Sequence, residues 1–158
     1  MSEIKTVVLG LGNTLLADDG VGVHAVRVLQ SNGQKPEGVE FLDAGTLSFT
    51  LAEAVEAAGG LLILDAANLN KAAGTVVLFE GEAMDDFVAN NKKKSVHEVS
   101  LFDLLAVARL CDELPARRAL IGVQPQRIEW SDTMTDPVRQ AIPTVCDTAL
   151  DLIKRWQA

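Results

Sequence analysis

Four side chains stand where chemistry could be done. Asp19 lies in VVLGLGNTLLADDGVGVHAV (Val7–Val26), behind an apolar run of strand type; Asp43 follows Phe41-Leu42 in FLDAGT; Asp65 follows Leu61-Leu62-Ile63-Leu64 in LLILDA; His97 sits in Ser95-Val96-His97-Glu98. A carboxylate directly behind four apolar residues, as at Asp65, is costly to desolvate unless it is paired, hydrogen-bonded or bound to a metal. The plainer alternative is that it caps the next turn through Asn68. Asp43 could do no more than fix the Ala44-Gly45-Thr46 turn, and Asp18 and Asp19 could both be helix-start carboxylates favoured by the macrodipole. For Asp18 that structural reading is the one adopted. The S-x-x-E spacing of Ser95 and Glu98 is a capping box, which puts His97 in a helix's first turn. There the positive end of the dipole disfavours imidazolium and leaves a neutral ring that can ligate a metal or accept a proton. A lone helix-start histidine can equally be structural, and His24 reads as a packing or surface residue of an amphipathic helix.

Taken together, Asp19, Asp65 and His97 form an O, O, N ligand set with coordination positions left open. Open positions belong to function rather than to scaffolding. Two carboxylates and one imidazole, with no thiolate, make a modest trap that suits a metal arriving with its substrate. The glycines Gly10, Gly12 and Gly20 invite a nucleotide-loop reading instead, but GxGxxG would need glycine where this chain has Leu15. No Gly-Lys-Ser/Thr occurs, and Asp18 and Asp19 would repel a phosphate.

These residues need a sheet edge to bring them together. Strand-like Thr6–Leu9 is followed by a helical segment from about Val21 to Gln30, then strand Val39–Leu42, a helix through Leu51 to Ala58, and Leu61–Leu64, apolar on both faces as a covered strand must be. Val76–Phe79 follows Gly74 too closely for a crossover helix, so it is expected antiparallel or at an edge. Apolar residues at helical spacing from Val99 to Leu110 predict a helix. Ala119–Val123 predicts a further strand, leading to GVQP and Ile128–Trp130. Asp136-Pro137 reads as N-cap and first position of a closing helix that reaches Trp156, with Pro143 expected to kink it. The expected fold is a single α/β domain over residues 1–158, a three-layer sandwich with a mostly parallel sheet of about five strands flanked by helices on both faces. The carboxyl ends of its strands are where Asp19, Asp43 and Asp65 converge.

Bulk composition narrows the partners. A chain of 158 residues, 48% hydrophobic and 23% charged, is ordinary for one globular domain, and its net charge of −8 argues against nucleic acid. Lys92-Lys93-Lys94 is expected to be a solvated loop. Cys111 and Cys146 have no zinc or disulfide spacing and are expected as small buried hydrophobes. The start MSEIKTVV has no secretory pattern, and no apolar run approaches the roughly 20 residues of a membrane span. A cytoplasmic monomer without membrane contact is expected.

Five blocks in order, GLGNTLLADDGVG (Gly10–Gly22), LDAGT (Leu42–Thr46), LLILDA (Leu61–Ala66), SVHEVSL (Ser95–Leu101) and GVQP (Gly122–Pro125), make the chain resemble the hydrogenase maturation endopeptidases along essentially its whole length. That resemblance implies one cleavage near the C-terminus of a nickel-loaded precursor of a nickel–iron hydrogenase large subunit, removing a short tail. It implies that Asp19, Asp65 and His97 recognise the nickel, which the precursor carries. Asp43 is the candidate general base or tail-positioning group, in a turn where Ala44 replaces the family's commoner glycine. Such enzymes have been grouped with aspartic peptidases, yet no second D-T/S-G half-site occurs here. The competing readings are a stand-alone metallohydrolase holding its own zinc or manganese, and a non-catalytic nickel chaperone.

Overall fold

The computed structural model describes residues 5–33, 35–45, 58–91 and 101–158. Its elements run β1 (Thr6–Leu11), a 3-10 turn (Ala17–Gly20), α1 (Val21–Ser31), β2 (Val39–Gly45), β3 (Gly60–Ala66), β4 (Val76–Glu80), α2 (Glu82–Asn90), α3 (Leu101–Leu110), β5 (Arg117–Val123) and α4 (Asp136–Gln157). The strands form one five-stranded sheet in the order β2-β1-β3-β5-β4. The first four are parallel to one another, and β4 pairs antiparallel with β5 at the edge, as the short link before it requires.

The alternation of side chains across the sheet explains why β3 is apolar throughout. Leu62, Leu64 and Ala66 join Val8, Ile121 and Val123 in a core covered by α1 and α4, while Leu61 and Ile63 join Val7, Leu9 and Leu120 in a second core under α2 and α3. All four residues Leu61–Leu64 are fully buried. At about 1.5–3 kcal/mol for each large apolar side chain removed from water, these two layers are the main favourable term holding the sheet. No helix among the described residues is long and apolar enough to cross a membrane.

Several boundaries differ from the sequence reading. Both β2 and β3 continue past their aspartates, so Asp43 and Asp65 lie inside the last turns of the strands rather than just beyond them. The ladder slips after Gly10–Asp43, pairing Leu11 with Gly45 and leaving Ala44 as an extra residue in β2. The helix α2 was not anticipated, although Met84 and Val88 are buried four residues apart and Glu82 and Asp85 sit in its first turn. Thr135, not Asp136, is the N-cap of α4, and Pro137 falls within its first turn. The helix runs unbroken through Pro143. Cys146 is buried as expected, but Cys111, one residue past α3, is exposed. Leu51–Ala57, the Lys92–Lys94 run and His97 lie outside the described residues.

Candidate functional site

The adjacent aspartates Asp18 and Asp19 divide the work of the loop after β1. Asp18 is completely buried. Its carboxylate accepts hydrogen bonds from the backbone N–H groups of Gln126 (2.9 Å), Arg127 (3.0 Å) and Thr135 (2.8 Å), and from the Thr135 hydroxyl (2.8 Å). Burial alone would raise its pKa, but these four donors outweigh it and hold the carboxyl below its ordinary range. Asp18 therefore pins the loop after β5 to the loop after β1. Backbone bonds complete the seam: Asp18 N–H to the Arg127 carbonyl, Ala17 N–H to that of Ser131, and Ser131 N–H to that of Leu15.

Asp19, by contrast, is only half-buried. Its Oδ2 accepts the Asn13 N–H at 2.9 Å. The turn that presents it is possible because Gly12 adopts φ +121° and has no Cβ, which would strike the Asp19 carbonyl. Ala17, just before the pair, also has a positive φ of 49°, a conformation that non-glycine residues keep only where the surroundings impose it.

The 3-10 turn carrying Asp19 packs against β3, and α1 begins so close that a Cβ at Gly22 would meet the carbonyl oxygens of Leu64 and Leu11. Asp19 and Asp65 are thus brought to the same edge, at the carboxyl ends of β1 and β3. Asp65 stands opposite Gly122 in the β3–β5 ladder, half-buried, with its Oδ1 shielded from solvent. By strand alternation it continues the row of Leu61 and Ile63, on the face that α3 covers. Gln124 organises the loop that follows: its side-chain oxygen accepts the Leu69 N–H, and its backbone N–H and carbonyl pair with Thr75 and Gly74. The GVQP block therefore ties the segment behind Asp65 to the end of β5, a role that no spacing rule would have revealed.

Asp43 is placed differently. It is exposed and lies on the α1 face, where Arg27 meets its Oδ2 through both Nε and Nη2 at 2.9 Å. His24, one turn back on α1, is half-buried; burial and the Arg27 charge push its pKa below the ordinary value, with Asp43 opposing. Among the described residues no group of three or more His, Cys, Asp and Glu side chains is arranged to hold a metal ion. The third member of the expected trio, His97, is outside them. A separate cleft of about 450 Å³ lies near the amino ends of the parallel strands, lined in part by Glu82, Asp85, Arg109 and Arg118. Its Asp85 is occupied by Arg118 (2.9 and 2.6 Å) and Arg109 (2.7 Å), which hold its pKa low despite burial.

A mixed, mostly parallel five-stranded sheet with Asp19 and Asp65 at its carboxyl edge defines an α/β protein with an acidic site in place of a nucleotide loop. A family model described as hydrogenase maturation protease matches residues 23–152, and the chain belongs to that family. It is 33% identical to the hydrogenase expression/formation protein HupD of Rhizobium leguminosarum bv. viciae, over 96% of this chain and 75% of that protein. It is 32% identical to the hydrogenase 2 maturation protease of Escherichia coli, over 96% of this chain and 92% of that one. Among solved structures, the hydrogenase maturating endopeptidase HybD from E. coli superposes with a TM-score of 0.87 at 30% identity, covering 96% and 93% of the two chains. The protein is accordingly a hydrolase of the maturation protease class, with the family's mixed, mostly parallel five-stranded fold.

Proposed function

We propose that this protease cuts a short tail from the C-terminus of the nickel-loaded precursor of a nickel–iron hydrogenase large subunit, and that the nickel it reads belongs to that substrate. The observation that carries the reading is the convergence of Asp19 and Asp65 at one sheet edge in a member of the maturation protease family. His97, four positions before α3 in the sequence, is assigned as their nitrogen partner. Two carboxylates and an imidazole would engage a nickel ion whose remaining positions are filled by the precursor. The metal, acting as a Lewis acid, would polarise the scissile carbonyl or activate a water. Asp43, paired with Arg27 on the exposed α1 face, is assigned to orienting the tail, because both Nε and Nη2 of Arg27 already engage its Oδ2. The enzyme is taken to act as a cytoplasmic monomer on this one protein partner.

Mixing the purified chain with nickel-loaded precursor and following the precursor's mass tests the reading. Loss of the tail is expected, with nickel-free precursor left intact. His97→Ala should abolish processing without unfolding the chain. An intact tail on the nickel-loaded cognate precursor overturns the protease reading in favour of a chaperone, and tight stoichiometric metal in the isolated chain overturns it in favour of a stand-alone metallohydrolase.

A further inference from the structure

Large hydrophobic side chains exposed to water are few among the described residues, and three of them share one place. Leu15 (56% exposed), Ile128 (55%) and Trp130 (78%) lie on the two loops that Asp18 fastens together. Leu16 and Ser131 form a parallel bridge and the Ser131 N–H donates to the Leu15 carbonyl, so the backbones at Leu15 and Trp130 are neighbours, with Ile128 two residues further back on the same segment. A tryptophan held in water on a loop pinned by a buried carboxylate is a cost that the fold does nothing to relieve, and grouped exposed apolar residues mark interaction sites. Both nearby arginines are paired within the chain: Arg127 with Glu129 at 3.0 Å, and Arg139 with Asp136 at 2.6 Å. With those arginines engaged, the three exposed apolar side chains are what the surface offers a partner.

We propose that Leu15, Ile128 and Trp130 form the platform on which the folded body of the substrate protein seats, through an apolar patch of its own beside its metal. The proposal rests on the maturation protease reading above, and what selects this occupant is continuity with the candidate site. Leu15 is four residues before Asp19 on the same loop, so a protein resting on the platform lies against the loop that carries that carboxylate. The loops are already ordered by the Asp18 bonds, which removes an entropic cost of binding. Aromatic anchors in such positions carry a disproportionate share of interface energy.

The test compares wild type, Trp130→Ala and Ile128→Ser, with Leu110→Ser as a control at an exposed position outside the platform. Affinity for nickel-loaded precursor and the steady-state kinetics of tail removal are measured for each. Trp130→Ala is expected to weaken precursor binding by about thirtyfold and to raise KM correspondingly, with kcat at saturating precursor retained and Leu110→Ser unchanged. Wild-type affinity and KM in both platform variants overturn the docking surface while leaving the protease reading standing. Failure of the wild type to bind or cut the precursor overturns both. Sedimentation that shows wild-type self-association, abolished by Trp130→Ala with precursor affinity unaltered, gives the surface to a second copy of this chain and overturns the proposal.

Discussion

At the residue scale, two neighbouring aspartates show how environment separates roles that the sequence presents side by side. Asp18 has a completely buried carboxylate with four donors, three of them backbone N–H groups from the far end of the chain. Replacing it with Ala leaves those donors buried and unmatched, and the expected loss is about 3 kcal/mol or more, read as a lower denaturation midpoint. The pH dependence follows from the same bonds. Asp18 and Asp85 both have folded pKa values depressed below the ordinary 3.8, so their stabilisation is complete above that value and disappears as the pH falls through the folded values. His24 is also depressed, from 6.5, which means the unfolded chain takes up its proton first and stability begins to decline once the pH drops below about 6.5. Thermal midpoints measured across pH should therefore fall in two stages. His24→Leu should remove the upper one, and Asp18→Asn should cost less at pH 3 than at pH 7.

At the scale of elements, α1 illustrates how a helix can be sited by what one residue lacks. Gly22 is the second residue of α1, where alanine is the better helix former, so its presence needs a reason. The reason is the approach of α1 to the carbonyls of Leu64 and Leu11, where no Cβ can fit. Gly22→Ala is expected to destabilise the fold by about 1–3 kcal/mol instead of stabilising it, and to reduce tail processing, because lifting α1 shifts the turn carrying Asp19. Equilibrium denaturation beside a processing assay at a temperature where the variant remains folded checks both effects. Other elements were less legible. The helix α2 is short and follows β4 after a single glycine, and an apolar repeat of only Met84 and Val88 is too brief to show a helical period. The strong Asp-Pro signal places the start of α4 one residue late; the residue that occupies the cap, Thr135, turns its hydroxyl to Asp18.

At the scale of the whole molecule, two apolar cores on opposite faces of the sheet hold the strands together. Incubation with a strong chelator should accordingly leave the thermal midpoint of the isolated chain unchanged, whereas a metal that took part in folding would lower it on removal. The order of the strands, the helices α1, α3 and α4, the antiparallel edge at β4, the covered strand β3 and the structural part of Asp18 are readable from hydrophobic period, spacing and the cost of burying charge, since these are local properties that a chain states in its own order. The positions of Asp19, Asp43 and Asp65 near strand ends are readable too. What they face is not. That Asp43 turns to Arg27 on the α1 side while Asp65 stands opposite Gly122 depends on pleat, register and the extra residue at Ala44. That Asp18 reaches Gln126, Arg127 and Thr135, more than a hundred positions away, and so builds the platform around Trp130, depends on contacts between segments that no local pattern encodes.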